Sequence, residues 1–221
     1  MNEKTKITLS AKELELVCNT DWILTKQVII QKVYQLFGDF SDSILSQVSG
    51  KLPARISCIA PKIAKGENYL NLPYVLLDYP RYFGKDETIA IRTFFWWGNF
   101  CSVNLHLSGQ SKIAAAPFLI EQFYFLQQND FSICVNNTPW EYHFEQNNYV
   151  QVKTISLKTF KTILDREIFV KIAKKIPLHE WEKIPLFIRQ TFIELLQFIE
   201  AMHQGDETNL LPGTPKVGFD L

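Results

Sequence analysis

Apolar residues in the N-terminal part of the chain recur at helical spacing. Ser10 followed three residues later by Glu13 is a capping box, in which the hydroxyl accepts the Glu13 amide and the carboxylate returns to the Ser10 amide, so a short helix is predicted to start there. Trp22, Ile29, Val33 and Phe37 then recur near the 3.6 period and predict a second helix over about 21–37, with Gly38 as its stop and a short third helix after Ser41.

The pattern changes in the middle of the chain. The run YVLLDY at 74–79, bounded by Pro73 and Pro80, reads as a buried strand. Residues 88–97 and 100–108 are β-rich and separated by Gly98 and Asn99, which tolerate positive φ, so they predict a hairpin of central strands. Residues 110–128 read as a helix interrupted near Pro117, and 131–135 with 140–144 as a second hairpin across 136–139. Over 167–175, Ile168, Val170 and Ile172 fit strand alternation while Ile168, Ile172 and Ile176 fit a helix; the strand is favoured.

From 179 to 202, Ile188, Phe192, Leu195, Ile199 and Met202 form one stripe, with Pro185 in the first turns, and predict a long amphipathic helix packed on the sheet. Beyond His203 the chain carries Gly205, Pro212, Gly213, Pro215 and Gly218 with little periodicity, as a flexible or surface-draped tail does. The expected fold class is α+β: a mainly antiparallel sheet with N-terminal helices, a middle helix and the long C-terminal helix. It is expected as a single domain over 1–203 with a tail over 204–221, since no repeat or linker divides it.

Composition adds weight to that core. Of 221 residues, 47% are apolar and 21% charged, and 17 Phe, 8 Tyr and 5 Trp shift the interior towards rings that also line pockets. The 23 basic and 23 acidic residues cancel, which removes any global field to steer the chain to nucleic acid or anionic lipid. One local excess runs over 151–175, where Lys153, Lys158, Lys161, Arg166, Lys171, Lys174 and Lys175 face only Asp165 and Glu167; a solvated face is its plainest reading. Cys18, Cys58, Cys101 and Cys134 form no CxxC pair and read as buried free thiols. The polar start at 1–10 lacks a secretory apolar stretch and no span of membrane length follows, so a soluble cytoplasmic protein is expected.

Candidate chemistry is sparse. No GxG, GxSxG or HExxH occurs, and the four histidines and four cysteines show no metal-ligand spacing, so neither cofactor nor metal is expected. Arg92 sits among Ile89, Ala90, Ile91, Phe94 and Phe95, where a permanent charge needs an anion: Asp78 or Glu121 within the chain, or the carboxylate or phosphate of a ligand. On the following strand Ser102, Asn104, His106 and Ser108 share one face and Cys101, Val103, Leu105 and Leu107 the other. A two-residue turn at Gly98 and Asn99 would pair Ile91 with His106 and leave Arg92 on the opposite face, whereas one extra residue would reunite them.

The candidate ligand-binding residues are Arg81, Arg92, Trp96, Trp97, Asn104 and His106. The function expected first is a binding or interaction module whose aromatic, arginine-bearing site takes a small anionic ligand or a protein partner. The alternative is a hydrolase- or transferase-type enzyme with His106 as acid or base, and a third is nucleic-acid contact through the basic segment.

Overall fold

The computed structural model describes residues 7–48, 50–52 and 54–208, and their side chains except at 54 and 203–208. The capping box is formed: the Ser10 hydroxyl accepts from the Glu13 amide at 3.3 Å and the Glu13 carboxylate accepts from the Ser10 amide at 2.7 Å, opening α1 (Ala11–Cys18). Helix α2 (Thr20–Val48) does not stop at Gly38. It continues because Ile30, Val33, Phe37, Phe40, Ile44 and Val48 form one unbroken buried stripe. An interior glycine costs about 1 kcal/mol, less than the ~1.5–3 kcal/mol gained by burying a single Phe or Ile. The separate helix expected after Ser41 is therefore the second half of α2, and α3 (Ala54–Ser57) follows.

Seven antiparallel strands then make one sheet: β1 (Lys62–Tyr69), β2 (Leu72–Phe83), β3 (Thr88–Trp96), β4 (Phe100–Ser108), β5 (Ser132–Cys134), β6 (Tyr149–Gln151) and β7 (Phe169–Pro177), in spatial order β1-β2-β3-β4-β7-β5-β6. Pro80 lies in the irregularity between Asp78 and Arg81, so β2 runs past it rather than ending there. Between β4 and β5 lie α4 (Gln110–Glu121) and α5 (Phe123–Gln128); Pro117 stays inside α4 and the break falls at Gln122. Helix α6 (Leu157–Arg166) precedes β7. A 3-10 turn (Leu178–Lys183) leads into α7 (Ile184–Thr208), which extends past the predicted end at 202; residues 209–221 of the expected tail lie outside the described residues.

Helix α7 lies over β3, β4 and β7, with α2 beside it over β2 and β1 and α4 on its other flank. The face of the sheet beneath them carries Val75, Leu77, Ile89, Ile91, Phe95, Val103, Leu105, Leu107, Val170 and Ile172, all buried in the principal core. The opposite face has no helical cover among the described residues. Its rings, Phe94, Trp96, Phe100 and Tyr142, form a second cluster with Leu76.

That second face is roofed by residues 135–148. The predicted hairpin between 131–135 and 140–144 does not exist, because β5 pairs with β6. The alternation that suggested it is nevertheless expressed: Tyr142 stacks on Phe94 at 4.9 Å and Phe144 on Tyr149 at 4.5 Å, as an extended segment laid across the sheet. Backbone bonds close its ends, Val135 N–H to the Asn148 carbonyl at 2.8 Å and Asn148 N–H to the Glu145 carbonyl at 2.9 Å, and in between side chains bind the backbone instead of a ladder. The Tyr69 hydroxyl accepts from the amides of Tyr142 at 2.6 Å and His143 at 3.0 Å, and the Lys171 ammonium donates to the carbonyls of Pro139, at 2.7 Å, and Glu141. We refer to 135–148 as the strap.

Candidate functional site

The turn between β3 and β4 decides the site. It contains Trp97, Gly98 and Asn99, with Gly98 at φ +70° and Trp96 paired with Phe100, so it is one residue longer than a two-residue turn. Arg92 therefore stands opposite Asn104 and Ala90 opposite His106, which puts Arg92 and His106 on the same face, under the strap. Antiparallel pairing with β7 adds Lys171 directly opposite His106.

Arg92 finds its anion inside the chain. Its Nε and Nη2 donate to the two carboxylate oxygens of Asp78 at 2.6 and 2.7 Å, and Nη1 donates to the Tyr142 hydroxyl at 2.6 Å. Burial works against the guanidinium charge, but the bidentate carboxylate outweighs it and raises the Arg92 pKa above its ordinary value. Asn104 extends the network, donating to the Arg92 carbonyl at 3.2 Å and to Ser102 Oγ at 3.0 Å while accepting from the Tyr149 hydroxyl at 3.0 Å.

Lys171 is 1% exposed. Besides the two strap carbonyls, its ammonium lies 4.5 Å from the Tyr142 ring centre and 5.2 Å from that of Tyr149. Burial, with help from the Arg92 charge, lowers its pKa to about 8. His106 is 6% exposed, edge-on to Trp140 at 5.6 Å and to Phe169 at 5.9 Å, and its Nε2 has no hydrogen-bond partner among the described residues. Burial first, then the charges of Lys171 and Arg92, hold its pKa down at about 3, so the imidazole is neutral at physiological pH.

At the turn end of the same face the strap leaves an open groove of about 850 Å³, lined by Leu70, Trp96, Asn99, Phe100, His143, Phe144 and Lys175. A smaller concavity of about 310 Å³, lined by Asp130, Ser132, Phe144, Tyr149, Gln151, Lys153 and Lys175, lies on the other side of Lys175. The exposed Lys175 ammonium is held 5.1 Å above Phe100 and 4.9 Å above Phe144, and no carboxylate of the described residues pairs with it. The chain matches no protein-family model, no curated protein and no solved structure. Its residues alone carry the functional argument.

Of the sequence-predicted residues, Arg92, Trp96, Asn104 and His106 share the strap face, and Trp96 lines the groove with its Nε1 donating to the Tyr69 carbonyl at 3.2 Å. Trp97 is turned the other way, edge-on to Phe95 against the helical core, and Arg81 lies beyond the β2 bulge with its Nε on the Ala60 carbonyl at 2.9 Å. The basic segment divides between surfaces. Lys153 pairs with Asp130, Arg166 with Glu167 and Lys174 with Glu194, Lys171 is buried, and Lys158 and Lys161 are exposed on α6. Cys101 and Cys134 are buried free thiols as expected; Cys18 and Cys58 are free but exposed, Cys18 because α1 buries none of its side chains.

Sequence reasoning passed over Tyr69, Tyr142 and Tyr149 and counted Lys171 only as one cation of the basic segment. For Lys171 a signal was present: Val170 and Ile172 flank it on a strand, the same argument that singled out Arg92. Among the described residues no cluster of three or more His, Cys, Asp or Glu is placed to hold a metal ion, and no helix is long and apolar enough to cross a membrane.

Proposed function

We propose that this chain is a binding module that takes a carboxylate or phosphate group, free or displayed on a protein partner, in the groove beside Lys175. The observation that carries the reading is the Lys175 ammonium: exposed, without a carboxylate partner among the described residues, and fixed over Phe100 and Phe144 between two concavities. An ammonium held by rings keeps its donors for a ligand, and aromatic walls bury the ligand's apolar part. Glu145 also lines the groove, and its charge directs an incoming anion to the Lys175 side. Arg92 serves this site indirectly, since its bonds to Asp78 and Tyr142 fix the strap that forms one wall.

The enzymatic alternative has less support, because an imidazole buried under Trp140 with its pKa near 3 neither gives nor takes a proton near neutrality. The test is titration of citrate, inorganic phosphate and a labelled Asp/Glu-rich peptide into wild type and Lys175→Glu. Charge reversal is expected to weaken binding about tenfold or more, with a surface change shifting stability by no more than about 0.5 kcal/mol. Wild type that ignores all three probes, or a variant that binds equally well, would overturn the reading. Binding of citrate and phosphate identifies a small-molecule ligand; binding of the peptide alone identifies a protein partner.

A further inference from the structure

The charges buried beneath the strap do not balance. Arg92 and Asp78 neutralise each other, and the Glu141 carboxylate is turned to the Tyr69 hydroxyl at 2.9 Å. Lys171 is left with main-chain carbonyls and ring faces, and no carboxylate of the described residues pairs with it. Partial charges are a weak substitute for a full anion in an interior where Coulomb interactions are little screened. Across the ladder, His106 keeps a buried Nε2 without a partner among the described residues, although native proteins pair nearly all such atoms.

His106 lies behind a side chain that is not itself well buried, Trp140, and the two carbonyls on Lys171 belong to the residues on either side of it, Pro139 and Glu141. Trp140 meets the His106 ring edge-on, is 53% exposed, and packs outward on Phe83, which is 42% exposed, at 6.2 Å. Phe169 closes the inner wall at 5.9 Å from the His106 ring. A half-exposed indole on an irregular segment is the least costly piece of this roof to move.

We infer that Trp140 is a displaceable plug and that the seat behind it takes an aryl carboxylate. The ligand's ring replaces the indole against His106 and Phe169. Its carboxylate replaces the strap carbonyls on the Lys171 ammonium, with one oxygen accepting from His106 Nε2–H. A ring suits these walls, and a singly charged carboxylate sheds its water more readily than a phosphate dianion. This seat is separate from the Lys175 groove and stands or falls without it.

The test is titration of benzoate into the full chain, followed through the His106 ring nitrogens by long-range proton–nitrogen spectra. Saturable movement of the Nε2 resonance is expected. Trp140→Ala should strengthen binding about tenfold or more, since the fraction of molecules with the seat open then rises. His106→Leu, titrated by calorimetry because the reporter ring is then gone, should bind about tenfold more weakly through loss of the Nε2 contact, and Lys175→Glu should leave the His106 response unchanged. The inference is overturned if His106 in Trp140→Ala ignores benzoate up to roughly 10 mM, a range in which a ligand of that size binds a matching site. It is equally overturned if phosphate moves the resonance as strongly as benzoate, or if Lys175→Glu abolishes the response.

Discussion

Replacing Asp78 by alanine is expected to remove about 3–5 kcal/mol of folding stability, because it leaves the Arg92 guanidinium, on a side chain only 16% exposed, without its carboxylate. The double variant Asp78→Leu/Arg92→Met should recover most of that loss, since removing both charges leaves only the Tyr142 hydroxyl to find a partner. Urea unfolding of wild type, the single and the double variant checks both statements. A loss below about 1 kcal/mol in the single variant would mean that solvent reaches Arg92 and that the pair is not the interior anchor described.

The second large effect is in acid. His106 has its pKa held at about 3 in the folded chain against 6.5 unfolded. The unfolded chain therefore binds a proton that the folded chain refuses between those values, and stability falls as pH drops through that window. At about 1.4 kcal/mol per pH unit the full loss from this group is on the order of 5 kcal/mol, complete near pH 3. His106→Leu should abolish that component. At pH 7 the same variant should be neutral or slightly more stable than wild type, because it deletes a buried nitrogen that has no partner. Unfolding free energies of both proteins at pH 7, 5 and 4 decide the matter. Parallel pH curves would show that the ring is solvated or hydrogen-bonded and would remove His106 from the buried network.

How much of this was legible depended on whether the signal was local. The Ser10–Glu13 box, the β3–β4 hairpin and the α7 stripe were legible because each is specified by residues a turn or a strand apart. Strand β1 was not, since KIAKGENY is largely polar, lies at the sheet edge, and is joined to β2 by Leu70 and Asn71, both at positive φ where an Asn-Gly signal is usual. Gly38 misled because propensity was weighed without the buried stripe on either side of it.

The site was half legible. Arg92 announced itself as a charge inside an apolar run, and Asp78 was one of its two named internal partners. Whether it met His106 depended on one residue of turn length, which Gly98 and Asn99 alone left open. The strap was misread as a strand because its Tyr142 and Phe144 alternate correctly, while the groups that satisfy its backbone, Tyr69 and Lys171, come from distant parts of the chain. Lys175 was visible only as one cation among seven. Its neighbours Phe100 and Phe144 are brought to it by the sheet and the strap.

The binding reading is tested most directly by amide chemical-shift mapping with citrate on the labelled chain. The shifts are expected to gather on Trp96, Gly98, Asn99 and Phe100, on 143–147 of the strap, and on Lys175. Shifts confined to Lys158 and Lys161 of α6, or spread without a focus, would contradict a built anion site at this groove.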